Sequence, residues 1–491
     1  MPRPPHRPPF PQQPPEPGPG VEQAPGVRHP STLPGPTGGS APERHGVPVG
    51  RSAADGRAPY GCSPDGRAER EGRAERDGRA GRPGRTLVVT NDFPPRRGGI
   101  ETFVHEITSR WPADDTVVYT AAQPGSDAFD AAQPFTVVRD RARLLLPTPR
   151  VAATARALAF RYGCDRVWFG AAAPLGLLAA RIGLPAVATT HGHEVWWAAL
   201  PGSRAALRRI GDTVTTVTYL TEHSRARLAP ALGPRAHLER LTPGVDPRMF
   251  RPRDHTPGHR PSGNAPPDAS ARAADGTTEA VTGHEPDVRA ELGLGAGPLI
   301  LSVSRLVPRK GQDVLIRALP RVRRAVPGTR LLIVGSGPYE RALRRAVRRE
   351  PELPPDAVVL AGPRDHAHLP PYYAAADVFA MPCRTRRFGL ETEGFGIVCL
   401  EAAAAGLPVL TGASGGAPEA VRDGETGRVV DGRDPTAVAA HLVELLGTPD
   451  GPRPGVGAAA GRRGREWVAR AHTWDAAAQR LRDLLSRTVE Q

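Results

Sequence analysis

The chain has 491 residues, a length that predicts two to four domains. Its 55 glycines and 57 prolines exceed average usage, so part of the chain is predicted to be disordered, while a hydrophobic content of 39% still provides for globular cores. The net charge of +14 admits nucleic acid, an anionic membrane or a merely arginine-rich composition. The last gains weight because Lys310 is the only lysine among 65 basic residues.

No apolar run approaches the roughly 18 residues of a membrane span, and MPRPPHRPPF lacks the apolar core of an export signal. Cys62, Cys164, Cys383 and Cys399 match no metal or redox spacing. A soluble protein in a reduced, cytoplasmic setting is expected.

Residues 1–84 are Pro-, Gly- and Arg-rich without apolar periodicity and are predicted to be a disordered tail. A hexapeptide recurs between Asp65 and Arg82 as DGRAER, EGRAER and DGRAGR. Its charges nearly cancel and no aromatic interleaves them for base stacking, which favours a solvated linker over an RNA-binding tail.

Ordered structure is expected from Arg85. Thr86–Thr90 reads as a buried parallel strand, Asn91–Pro95 as a loop, and Gly98-Gly99-Ile100 as a helix start. Strand, glycine loop and helix open a doubly wound sheet, without the G-x-G-x-x-G of dinucleotide binding. Gly98 and Gly99 fit either a phosphate or sugar approach or a plain tight turn. Further units follow at Thr116–Thr120, Val151–Tyr162, Arg166–Phe169, Leu175–Ile182, Ala186–Thr190, Val214–Val217 and Thr221–Leu228, giving a Rossmann-like domain over 85–250.

His191-Gly192-His193-Glu194 directly follows one strand, where open α/β sheets place ligands, and Trp196 and Trp197 lie just beyond. The spacing excludes the H-E-x-x-H zinc motif. Residues 252–290 lack periodicity and are expected to be a disordered insertion or linker.

A second α/β domain is expected over 291–465. Leu299–Ser304 reads as a strand whose following loop carries Arg305 and Lys310, two cations able to straddle a diphosphate, the arginine bidentately and the lysine as a point charge. Gly335 opens a glycine turn after the strand Leu331–Val334, and 466–491 contains a terminal helix.

The stretch Cys383–Glu419 organises the domain. Glu393 and Glu401 bracket GFGIVCL, with Gly394 and Gly396 at the entry to a helix on which Ile397, Val398, Leu400 and Ala404 fall at helical spacing. A helix N-terminus offers unpaired amides and positive partial charge to a phosphate, and glycines permit close approach. Glu401, farther along the helix, is then placed for sugar hydroxyls. A buried helix with two solvated glutamates has the same local sequence, so other stretches must decide.

These motifs, NDFPPRRGGIE, THGHEV, LTPGVD, SVSRLVPRKG, VGSGP and the paired glutamates, together resemble family 4 retaining glycosyltransferases of the GT-B fold. NDFPP, HGHE and CRTR look closer to actinobacterial phosphatidylinositol mannosyltransferases, the type acting on monomannosylated lipid. The resemblance implies two Rossmann-like domains facing a cleft, with a C-terminal helix crossing back to the first. It implies that Arg305, Lys310 and the amides of Phe395, Gly396 and Ile397 hold the donor diphosphate, with Gly99 opposite. By the same likeness Glu401 holds the ribose, Glu393 the transferred sugar, and His191 that sugar's 6-hydroxyl, with His193 its neighbour. His193, Glu194, Trp196 and Trp197 fall on the acceptor side.

The implied reaction moves mannose from GDP-mannose to a phosphatidylinositol mannoside without a required cofactor; Mg²⁺ is compatible, but no metal motif is present. The implied partners are a nucleotide sugar, a lipid-linked acceptor and an anionic inner membrane surface, with no nucleic acid. Arg139–Leu146 and Arg204–Ile210 mix arginine with apolar residues as membrane contacts require, although ordinary domain surface reads the same way. Another nucleotide sugar or a soluble acceptor fits the motifs as well. A non-catalytic anionic-polymer-binding protein is the alternative of another class.

Overall fold

The computed structural model describes residues 84–96, 98–252, 287–448 and 456–490. The expectations for the tail and hexapeptide repeat, and for 253–286 of the insertion, lie outside these residues. Two parallel sheets organise the rest. The first contains β1 (Arg85–Thr90), β2 (Thr116–Thr120), β3 (Thr136–Arg139), β4 (Cys164–Phe169), β5 (Ala186–Thr189), β6 (Thr216–Tyr219) and β7 (Leu238–Arg240), in the order β3-β2-β1-β4-β5-β6-β7. The second contains β8 (Leu299–Val303), β9 (Arg330–Val334), β10 (Val358–Gly362), β11 (Val378–Met381), β12 (Val409–Gly412) and β13 (Gly427–Val430), in the order β10-β9-β8-β11-β12-β13.

The central strands are buried throughout, as LILSV of β8 and VFAM of β11 illustrate, because helices cover both faces of a parallel sheet. In each sheet the strand order reverses beside the first strand, between β1 and β4 and between β8 and β11. The carboxyl ends of strands at such a reversal leave a crevice for ligands. The loops after β1, β4 and β5 line it in the first domain, and those after β8 and β11 in the second.

Two crossings join the domains. Val245 donates its N–H to the His472 carbonyl at 2.9 Å, and Arg465 donates to the carbonyls of Phe250 and Pro247. The helix Val456–Ala471 packs on the second domain through the helix Ile397–Ala404, whereas Trp474–Glu490 packs on the first, where Trp111 Nε1 donates to the Ala478 carbonyl at 3.1 Å. The terminal segment thus changes domain near His472, not at 466. The second domain begins before 291: Asp287 caps the helix Val288–Glu291, and Val288 is buried in the core.

Several elements differ from the sequence reading. Val214 ends the helix Pro201–Thr213, which shifts the next strand to Thr216–Tyr219. Leu175–Ile182 divides into a 3-10 turn, Leu175–Leu178, and one α-turn, Ala179–Ile182. Strands β3, β7, β12 and β13 were not anticipated.

Candidate active site

In the second domain, the loop after β8 makes a tight turn over Pro308–Lys310 and delivers Lys310 into the interior. Its Nζ lies 2.8 Å from Glu393 Oε2 and 3.4 Å from Met381 Sδ. Arg309 Nη1 reaches the same Glu393 oxygen at 2.7 Å. Burial by itself would raise the Glu393 carboxyl, but Lys310 and Arg309 outweigh it and hold the group below the usual carboxylate range. Glu393 is therefore an anion held by two cations.

Gly396 caps the helix Ile397–Ala404 at φ 89, a backbone conformation that glycine adopts without strain. Phe395 is buried, so the loop that enters the helix is anchored. Glu401, on the second turn, accepts from Tyr373 Oη at 2.7 Å and from His366 Nε2 at 3.0 Å. The hydrogen bond to Glu401 is the chief reason the His366 pKa lies above 6.5. Arg305 is exposed and lines a pocket of about 290 Å³ with Ser304, Gly335, Ser336, Pro363 and Arg364. The two cations read from the sequence thus divide: Lys310 joins Glu393, and Arg305 borders the neighbouring pocket.

In the first domain, His191 Nε2 lies 2.6 Å from the Gly170 carbonyl and its ring meets Phe103 edge-on at 5.1 Å. Burial is the main cause that lowers its pKa below 6.5. A neutral ring donating from Nε2 leaves Nδ1 as an acceptor. Asp92 and Glu101 both pair with Arg96, and Asp92, whose pKa is raised first by burial and then by Glu101, feels both His191 and His193. Gly98 and Gly99 stand at the start of the adjoining helix, and a Cβ on Gly99 would meet open space.

Glu194 lies inside the loop: its side chain is 0% exposed, and Oε2 accepts the His191 N–H at 2.9 Å, so it braces the loop. His193 Nε2 lies 3.6 Å from Glu194 Oε1, too far for a hydrogen bond. Trp196 is exposed, while Trp197 packs partly against the first domain's core.

The two domains meet across the crevice. A Cβ on Gly394 would sit 3.1 Å from the His191 carbonyl oxygen, and one on Gly416 would overlap the Thr221 side chain. Glu419 accepts from Arg240 Nη2 at 2.8 Å and from the His223 N–H at 3.3 Å. Sequence reasoning missed Arg309, Tyr373, His366, Asp92 and Arg96, although Arg309, Asp92 and Arg96 lay in quoted motifs. Among the described residues, no group of three or more His, Cys, Asp or Glu could hold a metal ion.

Two facing parallel-sheet domains, with a buried Lys–Glu–Arg cluster beside a helix N-terminus, have the architecture of a GT-B glycosyltransferase. Family models described as Glycosyltransferase Family 4 and Glycosyl transferases group 1 match residues 97–248 and 297–448. The chain belongs to this glycosyltransferase family. It is 45% identical over 411 residues, 82% of this chain and 98% of the relative, to a GDP-mannose-dependent alpha-(1-6)-phosphatidylinositol monomannoside mannosyltransferase of Mycobacterium tuberculosis. A Corynebacterium glutamicum relative, whose name specifies the monoacylated lipid, is 40% identical over 82% of this chain and 97% of its own. The structure of Anabaena Alr3699/HepE in complex with UDP and glucose shares the fold at a TM-score of 0.62 and 17% identity, covering 82% of this chain and 100% of that chain.

Proposed function

We propose that this protein is a retaining mannosyltransferase that moves mannose from GDP-mannose to a phosphatidylinositol monomannoside. The 45% identity over 98% of the mycobacterial enzyme carries this reading, and the Lys310–Glu393–Arg309 cluster supplies suitable chemistry.

As the bond from mannose C1 to the diphosphate oxygen breaks, negative charge builds on the leaving phosphate. Lys310, Arg305 and the amides of Phe395, Gly396 and Ile397 stabilise that charge, and such preorganised stabilisation is usually the largest part of catalysis. The acceptor oxygen attacks from the leaving group's face, and its proton passes to the departing phosphate. Glu393 holds hydroxyls of the transferred sugar, Glu401 the ribose, and Gly99 faces the diphosphate. His191 offers Nδ1 and its backbone to the sugar near its 6-hydroxyl.

Contact with an anionic membrane surface belongs to the same reading. Arg139 is turned inward onto Asp130, but Leu144 and Leu146 are 54% and 50% exposed beside exposed Arg141 and Arg143. In Pro201–Thr213 the apolar Leu207 and Ile210 face the core, leaving Arg204, Arg208 and Arg209 outward without a large apolar side chain beside them. The 141–146 loop is thus the better candidate contact, and no helix among the described residues could cross a membrane.

Thermal unfolding with GDP, UDP and their sugar conjugates tests the donor assignment. Protection by GDP-mannose at micromolar concentration is expected; protection by UDP compounds alone would overturn it.

A further inference from the structure

The arginines of the CRTRR segment take no part in the donor geometry above. Arg384, Arg386 and Arg387 line one pocket of about 420 Å³ with Arg317, Arg433, Asp313 and Thr385. Its walls come from the loops after β11 and β13 and from the first turns of the helix Gln312–Ala325, so it opens on the ligand-bearing edge of the second sheet. It adjoins the donor loop: the Arg384 N–H donates to the Arg309 carbonyl at 2.8 Å, and Thr385 Oγ1 lies 3.0 Å from Ser414 Oγ.

The charges do not balance within the pocket. Asp313 accepts two bonds from Arg384, at 2.9 and 3.0 Å, and a longer one from Arg317 at 3.5 Å. Glu391 pairs with Arg386 at 3.3 Å and Arg387 at 3.2 Å. The Arg433 guanidinium donates to the Thr385 carbonyl, while its backbone N–H donates to Asp431 Oδ1 at 3.0 Å. Five guanidinium groups therefore converge against two carboxylates, an arrangement that an anion would relieve. Arg387 also holds φ at 48, alone among described non-glycine residues in the left-handed region, which keeps its side chain beside the others at the expense of backbone comfort.

We propose that this pocket binds a phosphate group, which guanidinium forks match bidentately. The phosphate arrives on a lipid headgroup or on a water-soluble phosphorylated polyol. The assignment deepens the transferase reading, since an inositol-lipid acceptor brings a phosphodiester close to the donor loop, but phosphate binding stands without it.

The test uses the full chain and two probes: inositol 1-phosphate by calorimetry, and phosphatidylcholine vesicles with and without phosphatidylinositol by cosedimentation. The wild type is compared with Arg317→Gln/Arg433→Gln and, separately, Arg387→Gly, each first shown to retain the wild-type melting temperature. At least tenfold weaker binding of either probe by the double variant is expected, with thermal protection by GDP unchanged. Loss confined to vesicles assigns a lipid headgroup; loss with the soluble probe shows that the phosphorylated polyol suffices. Equal binding of both probes by wild type and double variant, or no binding by the wild type, overturns the proposal. Failure of GDP to protect the wild type would overturn the donor reading and leave the phosphate result standing.

Discussion

Lys310 Nζ and Glu393 Oε2 lie 2.8 Å apart with both side chains nearly withdrawn from solvent. Removing one member of a buried pair typically costs about 3–5 kcal/mol because the other charge is stranded. Here Arg309 remains on Glu393 at 2.7 Å, so Lys310→Ala is expected to cost less, about 1–3 kcal/mol. Transfer is expected to fall at least a thousandfold in a variant that still folds, as melting curves and product counting would show. Full activity in this variant would remove Lys310 from the donor site.

Acid should spare this cluster. The Glu393 pKa is lowered despite burial, so its contribution is present above the ordinary carboxylate value of 4.5 and is lost only as pH falls through its lower folded value. The melting temperature of Glu393→Gln, compared with wild type, should show the wild-type advantage intact at pH 5.5 and shrinking only in stronger acid. An advantage already lost at pH 5.5 would contradict the pairing.

Tyr373 and His366 hold Glu401 from two sides. Tyr373→Phe removes a buried bond to a charged group and should cost about 1.5–3 kcal/mol, and Glu401→Ala should abolish transfer without unfolding the chain. His366 is raised above 6.5, so its share of stability is full below that value and is lost as pH climbs through its folded one. A His366→Ala variant should thus differ most from wild type at pH 6 and least at pH 9, which pH-dependent melting would measure.

At the domain crossing, His472 is buried and its pKa is pushed down to about 4, mainly by burial. The unfolded chain then binds the extra proton first, so stability declines as pH falls from 6.5 towards 4. The gap, at about 1.4 kcal/mol for each pH unit, corresponds to at most about 3.5 kcal/mol. His472→Gln should flatten this part of the stability profile; an unchanged acid slope would assign the effect elsewhere.

A Cβ on Gly416 would come within 2.2 Å of the Gly394 carbonyl and 2.4 Å of the Thr221 side chain. Gly416→Ala should therefore push on both the Gly394 loop and Thr221 of the facing domain and lower kcat/KM by about 10- to 100-fold, since small misplacements of reacting groups are that costly. Steady-state kinetics would decide, with retained GDP protection showing that the donor half is intact.

The fold was legible where burial is complete. Runs such as LILSV and VFAM are apolar because both sheet faces are covered. Strands β3 and β7 escaped because edge positions are only partly buried, and their sequences, TVVR and LER, are short. Lys310 and Glu393 were readable from a singular lysine and a glycine-flanked glutamate. Arg309 was not, because one arginine carries little information in so arginine-rich a chain. Tyr373 and His366 meet Glu401 only through the packing of separate loops and helices. The inward turn of Glu194 was not legible, because HGHE reveals a polar loop but not which of its side chains is buried.

The most direct test supplies the purified protein with labelled GDP-mannose and phosphatidylinositol monomannoside, and follows mannose into the lipid phase beside the Lys310→Ala variant. One mannose added per lipid by the wild type, and none by the variant, is the predicted result. No transfer from GDP-mannose to that lipid, in a preparation that GDP protects against unfolding, would contradict the assignment.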